Sequence, residues 1–189
     1  MKALIASLRV VATTIAICVV GYLLLVLALA QSMPGRANGS LVVAPDGAVV
    51  GSSLIAQPFV RPEYFWPRPS AVDYNAAGAG GSNKSPTSPD LTERARQLIE
   101  RHGATAERPL PPELATASGG GLDPHVSVHA ARYQAPRVAA ARGLALERVD
   151  ALIEEHAFAP GGALTSEPLV NVLALNLALD QEAGAKPAR

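Results

Sequence analysis

From Val10 to Ala30 the chain runs for 21 residues without a charge, and no other feature restricts its fold so strongly. Thr13, Thr14, Gly21 and Tyr22 are the mildly polar or small interruptions. At about 1.5 Å per residue a helix of this length is roughly 31 Å long, which matches the hydrocarbon core of a bilayer. Buried inside a soluble domain, it would need apolar neighbours on every side, and no second run of this kind exists. The segment predicts one membrane-spanning helix over 10–30. Lys2 and Arg9 precede it, and only Arg36 and Asp46 are charged between it and Arg61. That bias predicts residues 1–9 in the cytoplasm and residues 31–189 outside it. A cleaved signal peptide is the alternative, because Ala28-Leu29-Ala30 fits a cleavage site. The apolar stretch, however, exceeds the about 7–15 residues of a signal core. Both readings put 31–189 in the same compartment.

The 16 Lys and Arg balance 16 Asp and Glu. With Lys2 and Arg9 ahead of the span, the remainder is slightly acidic, which excludes a binder of nucleic acid resting on a cationic face. Cys18 is the single cysteine and lies within the apolar run, so neither an intramolecular disulfide nor a thiolate metal site is possible.

Residues 31–39 read as a turn-rich exit from the membrane. Leu41-Val42-Val43, Pro45-Asp46-Gly47 and Ala48-Val49-Val50 predict a hairpin, which Ser53 to Ala56 extends by a short strand. From Gln57 to Pro89 there is no periodicity, and prolines fall at 58, 62, 67, 69, 86 and 89. So long a structureless stretch in a compact domain is more often functional or partner-bound than idle. Ser88 as cap and Pro89 in the first turn open a helix with Leu91, Ala95, Leu98 and Ile99 on one face, stopped by Gly103. Ser127 caps a helix to about Gln134, and Pro136 begins a second piece ending before Gly143. Val149, Leu152, Ile153 and His156 mark another helical face. Leu173, Leu175, Leu177 and Leu179 alternate as in a strand. With Asn171 as cap, Val172, Leu175, Ala178 and Leu179 equally fit a helix, and the reading adopted is a strand over Leu169–Asn171 passing into a helix. The fold class is a small α/β or mixed α+β domain, anchored by one N-terminal transmembrane helix.

Chemistry-bearing motifs are sparse. Gly78-Ala79-Gly80-Gly81-Ser82-Asn83-Lys84-Ser85 approaches a phosphate-cradling loop, but Asn83 replaces the glycine before the lysine and no strand leads into it. His125 and His129 stand four apart near an expected helix start, with Asp123 as a cap before Pro124. They lack the intervening glutamate and third ligand of a zinc site. Ser118, His125 or His129, and Asp123 can be drawn as a triad, yet no nucleophile elbow surrounds Ser118. Asn38-Gly39-Ser40 is a glycosylation sequon, meaningful only in a eukaryotic secretory setting. Tyr64-Phe65-Trp66 fits a partner hot spot, an interfacial belt or the core beneath a long loop. No nucleophile, base and oxyanion donors assemble, so the expectation is a chain with no catalytic or metal-binding residues. The alternative is a membrane-anchored extracytoplasmic hydrolase using Asp123 and His125, or a generic interaction module.

Ordered blocks carry a family resemblance. They are Ala37-Asn38-Gly39-Ser40-Leu41, Val50-Gly51-Ser52-Ser53-Leu54-Ile55-Ala56-Gln57-Pro58-Phe59 and Tyr64-Phe65-Trp66-Pro67-Arg68-Pro69-Ser70-Ala71. Tyr74-Asn75-Ala76, Gly80-Gly81-Ser82-Asn83 and Thr116-Ala117-Ser118-Gly119-Gly120-Gly121-Leu122-Asp123-Pro124-His125 follow. Arg137-Val138-Ala139-Ala140-Ala141-Arg142 and the run from Val170 to Asp180 complete the series. From about Gly21 to Asp180 the chain resembles the C subunit (KdpC) of the bacterial potassium-transporting Kdp ATPase. It departs from the family at Leu23, Ala79 and Lys84. The resemblance implies a single-span, non-catalytic subunit of the inner membrane. Its partners would be the channel-like KdpA, the ATP-hydrolysing KdpB, the small KdpF and membrane lipid, with ATP and potassium handled by the complex. It further implies a catalytic chaperone that raises the ATP affinity of the hydrolytic subunit. At family level Gly80, Gly81, Ser82 and Asn83 are the nucleotide-binding candidates. Tyr64, Phe65, Trp66, Tyr74, Asn75 and Asp123 are the partner-contact candidates.

Overall fold

A computed structural model describes residues 1–44, 47–162 and 167–182, and the chain divides into two compact units between Leu41 and Val42. In the first, α1 (Lys2–Ala30) is one helix of 29 residues. It starts ahead of the expected span because Ala3, Leu4, Ala6 and Leu8 are strong helix formers. Ala16–Gly21 winds more widely, as a π-helical segment. None of α1 is buried by protein, the condition under which a helix apolar on all sides from residue 10 to 30 needs lipid or a partner around it. A single turn, α2 (Pro34–Ala37), follows.

A hairpin of β1 (Leu41–Val43) and β2 (Val49–Ser52) begins at the boundary and leads into the second unit. The amide of Ala44 donates to the carbonyl of Ala48 at 2.8 Å; Pro45 and Asp46 of the expected turn lie outside the described residues. The strand expected at Ser53–Ala56 does not form. Ser52 Oγ accepts from the amide of Leu54 at 3.2 Å and turns the chain there, since a serine hydroxyl competes with ladder bonding. Residues 57–88 carry neither helix nor strand, as their prolines predict. Then α3 (Pro89–His102) begins after Ser88 and ends at Gly103, whose φ of 60° is the left-handed turn that glycine supplies. α4 (Pro112–Ala115) is one turn.

Two strand-to-helix units complete the fold. β3 (His125–Ser127) runs directly into α5 (Val128–Arg142), and Ser127 Oγ caps α5 by accepting from the amide of Ala130 at 3.0 Å. α6 (Leu146–Glu155) follows, and then β4 (Leu169–Asn171) runs into α7 (Val172–Glu182). Asn171 Oδ1 caps α7 through the amide of Ala174 at 3.1 Å, as the strand-into-helix reading requires. β3 and β4 pair antiparallel with Val126 opposite Val170.

Two expectations need correction here. α5 passes unbroken through Pro136, because Pro136 and Arg132, whose carbonyl loses its helical donor, both lie on the solvent-exposed side of the helix. His125 belongs to β3 and His129 to α5, so the two do not share a helical face. The core gathers Val126 and Val170 from the sheet, Ala131, Ala135 and Val138 from α5, Val149 and Ile153 from α6, and Leu175 and Leu179 from α7. Phe65, from the long loop, is fully buried among them.

Candidate partner-binding surface

Among the described residues no strand pairs with the long loop, yet it enters the interior, so its peptide groups must be matched by other means. Tyr64, Phe65 and Trp66 are 3%, 0% and 8% exposed. Of the three roles open to this cluster, the fold uses it as core beneath the loop, and these side chains are not available as direct partner contacts. Two buried carboxamides stand in for neighbouring strands. Asn176 of α7 accepts from the amide of Phe65 at 2.8 Å and donates to its carbonyl at 3.0 Å. Gln134 of α5 does the same for Trp66, at 2.9 and 3.0 Å. Arg142 donates to the carbonyl of Glu63 at 2.7 Å, and Arg137 donates to those of Pro62 and Tyr64. Trp66 Nε1 donates to the carbonyl of Arg61 at 3.0 Å, which completes the run of six carbonyls from 61 to 66.

Charge reinforces this clamp. The Arg142–Asp180 pair is 2.7 Å long, with side chains 5% and 4% exposed, and the Tyr64 hydroxyl donates to Asp180 at 3.0 Å. The guanidiniums of Arg101 and Arg137 lie 4.1 and 3.7 Å from the centre of the Trp66 ring. His102 packs edge-on to the same ring at 5.1 Å. Burial, with Arg137 and Arg101 nearby, pushes its pKa down to about 4, so it is neutral at pH 7. Burial and the neighbouring Arg101 likewise lower Arg137 to about 10.

The glycines of the nucleotide-like loop meet a second glycine run. The amide of Gly80 donates to the carbonyl of Gly120 at 2.9 Å. A Cβ on Gly81 would stand 2.7 Å from the carbonyl oxygen of Gly119. Gly121, at φ +71°, would place one 2.6 Å from Val72. These glycines permit two backbones to touch. Asn83 holds φ 49° beside them, and Lys84 pairs with Asp90 at 2.6 Å.

Asp123 does not cap a helix. Its Oδ1 accepts from the amide of His125 at 3.0 Å at the entry to β3, and its Oδ2 meets Arg68 at 3.3 Å. Burial raises its pKa, but bonds from the His125 ring and amide and the charge of Arg68 outweigh this and leave it below the usual carboxylate range. Ser118, 3% exposed, accepts from the amide of Asp123 at 3.4 Å. The hydroxyl thus serves the local turn. Tyr74 donates to the carbonyl of Arg68 at 3.0 Å, while exposed Asn75 accepts from the amide of Ala77 at 3.0 Å. Burial raises the Tyr74 pKa, with Arg101 opposing and Asp73 adding to it. Asp73 and Tyr74 both hold positive φ, 52° and 57°, with Ser70 Oγ accepting from the amides of Val72 and Tyr74. The loop therefore presents a turn of fixed shape, with 73 and 75–79 at its surface.

The model of the family described as KdpC, K+-transporting ATPase, c chain, matches residues 4–181. The chain belongs to the KdpC family. It is 64% identical over 182 residues to the potassium-transporting ATPase KdpC subunit of Parvibaculum lavamentivorans, covering 96% of this chain and 97% of that one. The KdpC subunits of Myxococcus xanthus and Herpetosiphon aurantiacus are 49% and 50% identical, over 96% and 85% of this chain and 89% and 86% of theirs. This KdpC-family chain is accordingly a subunit of a potassium-transporting ATPase and is membrane-associated.

Sequence reasoning missed the residues that build the loop clamp of this KdpC-family fold: Gln134, Asn176, Arg137, Arg142 and Asp180. One signal was present. Asn176 is an amide set in the apolar stretch Leu173–Leu179, where a polar residue must find a buried partner; Gln134, in Ala131–Ala135 with Arg132 and Tyr133, gives no such signal.

Proposed function

We propose that this KdpC-family chain is a non-catalytic accessory subunit of the bacterial inner membrane, with residues 1–9 in the cytoplasm and 31–189 outside. Its partners are KdpA, KdpB and KdpF, with lipid around the helix. The observation that carries this reading is one chain in which a helix, charge-free from Val10 to Ala30 and unburied by protein, precedes a domain whose chemistry-bearing residues are engaged in its own fold. The family match spans both parts.

Gln57–Pro89 is the docking loop. Its exposed turn at 73–79, with Tyr74 and Asn75 and with Asp123 behind it, is the contact region. Two consecutive non-glycine residues at positive φ support this choice, because such strain, about 1–3 kcal/mol each, persists where surroundings hold a shape in place. The chain raises the ATP affinity of KdpB from outside the membrane. A coupling free energy of about 1–3 kcal/mol through the membrane part suffices, equal to roughly 5–150-fold in affinity. Under this reading Gly80, Gly81, Ser82 and Asn83 shape the loop and do not touch nucleotide.

The test compares purified complex with and without this subunit, measuring potassium-stimulated ATP hydrolysis. The expected result is a KM for ATP several-fold higher without the chain, restored by adding it, while the isolated chain hydrolyses nothing. Hydrolysis by the isolated chain, or a complex indifferent to it, contradicts the reading.

A further inference from the structure

The arginines of the second unit fall into two sets. Arg61, Arg68, Arg96, Arg132, Arg142 and Arg148 each pair with a carboxylate. Among the described residues Arg94, Arg101, Arg108 and Arg137 pair with none, and the last three stand over the rings of one chain of aromatic contacts. Arg101 and Arg137 lie over Trp66. His102 joins Trp66 to Tyr133 through edge contacts at 5.1 and 6.3 Å, and Arg108 stands 4.3 Å from the centre of the Tyr133 ring. His102 is neutral at pH 7 and cancels none of this charge. Glu100 and Glu107, beside Arg101 and Arg108 in sequence, and Asp73, beside Tyr74, form no ion pair with the three among the described residues. Because Arg101 and Arg137 share one ring, they are closer together than the screening length of about 8 Å at physiological salt, and they repel. An anion brought to them relieves that repulsion.

What each arginine has left to donate fixes where the anion sits. Arg137 already donates to the carbonyls of Pro62 and Tyr64 and to Gln134. Arg101 and Arg108 are exposed, and Arg101 makes no hydrogen bond among the described residues. A guanidinium held against a ring offers a planar fork that matches the two oxygens of a carboxylate. Attachment to lipid uses clusters of about four to eight basic residues beside a membrane helix or along an amphipathic one. Arginine set with tyrosine and tryptophan is instead the make-up of the anchors of a protein interface. Arg101 also acts on Tyr74, so this surface adjoins the 73–79 turn.

We propose that Arg101 and Arg108, backed by Arg137, form a docking surface for an acidic segment of another subunit of the complex, whose Asp or Glu carboxylates pair with the two exposed guanidiniums. The proposal rests on the accessory-subunit reading and names a surface for it.

The test uses the full chain in the assembled membrane complex. Arg101→Lys and Arg108→Lys, made singly, keep the charge and supply an amine that a carbodiimide couples to a touching carboxylate as an amide. The chain's own lysines are Lys2, Lys84 and Lys186. Arg96→Lys, on another face of α3 and beside Glu93, is the control. The expected result is an adduct from position 101, 108 or both to an Asp or Glu of a co-purifying subunit, and none from position 96. No adduct from either position in a complex that contains the chain, or an equal yield from position 96, overturns the proposal. A second measurement follows recovery of the chain in the detergent-purified complex. Combining Arg101→Gln with Arg108→Gln is expected to lower recovery several-fold at low salt and to remove most of the fall that wild type shows as salt rises. Wild-type recovery with an unchanged salt response overturns the proposal. So does a difference that appears only when phosphatidylglycerol is added, which assigns the surface to a lipid headgroup. Failure of the wild-type chain to co-purify removes the accessory-subunit reading first, and this proposal with it.

Discussion

Replacing Asn176 by leucine keeps the branched shape of the side chain but strips the amide and carbonyl of Phe65 of their partners in a buried place. Each such group costs about 1–3 kcal/mol when left unpaired. The expected loss is about 2–5 kcal/mol, read as a large drop in melting temperature of the detergent-solubilised chain; a melting temperature within a degree or two of wild type contradicts the clamp. Titration of His102 gives a second prediction. Its folded pKa is about 4 against an ordinary 6.5. Above pH 6.5 it is neutral in both states and contributes no pH dependence. Between 6.5 and 4 the unfolded chain binds a proton that the folded chain refuses, so stability falls as pH falls and levels off below about 4. Asp123 adds a later loss: its lowered pKa stabilises the fold above the ordinary 3.8 and ceases to as pH falls through its folded value. Melting from pH 8 to 4 should show the decline beginning near 6.5, and His102→Gln should flatten it.

At the scale of elements, α5 tolerates Pro136 because the face opposite is fixed by Ala131, Ala135 and Val138 in the core. A proline in a helix interior costs up to about 3 kcal/mol. Pro136→Ala, at an exposed position, should therefore stabilise the chain by about 1–3 kcal/mol, and a lowered melting temperature would show that the ring has a packing role. The same element shows what local chemistry reveals. Gly103, Ser127, Gly143 and Asn171 mark helix ends through local bonds, so those boundaries are legible in the sequence; Ser88 precedes α3 as expected, but its side chain makes no capping bond and Pro89 sets the start. Pro136 was misread because propensity alone cannot weigh the packing on the far side of the helix. The fate of Tyr64-Phe65-Trp66 was left open for a related reason. Its partners lie at Gln134, Arg142, Asn176 and Asp180, from 68 to 116 residues away in sequence. The glycine loop invites a nucleotide reading because the second backbone it touches, at 119–121, is also far from it in sequence, so local pattern does not show the contact.

The whole molecule is an apolar helix and a small α+β unit whose polar residues hold its own long loop in place. Neither part explains a transport role alone. The helix is long and apolar enough to cross a membrane, and the domain holds its long loop in place with its own side chains. The KdpC-family match from residue 4 to 181 covers both. The claim on which the rest depends is that residues 31–189 face away from the cytoplasm. Lys84, with a side chain 47% exposed, is a suitable reporter. In a Cys18→Ala, Lys84→Cys variant, a membrane-impermeant thiol reagent applied to intact cells should label the chain to the same extent as after lysis. Protection in intact cells, with labelling only once the membrane is opened, would place the domain inside and contradict the account.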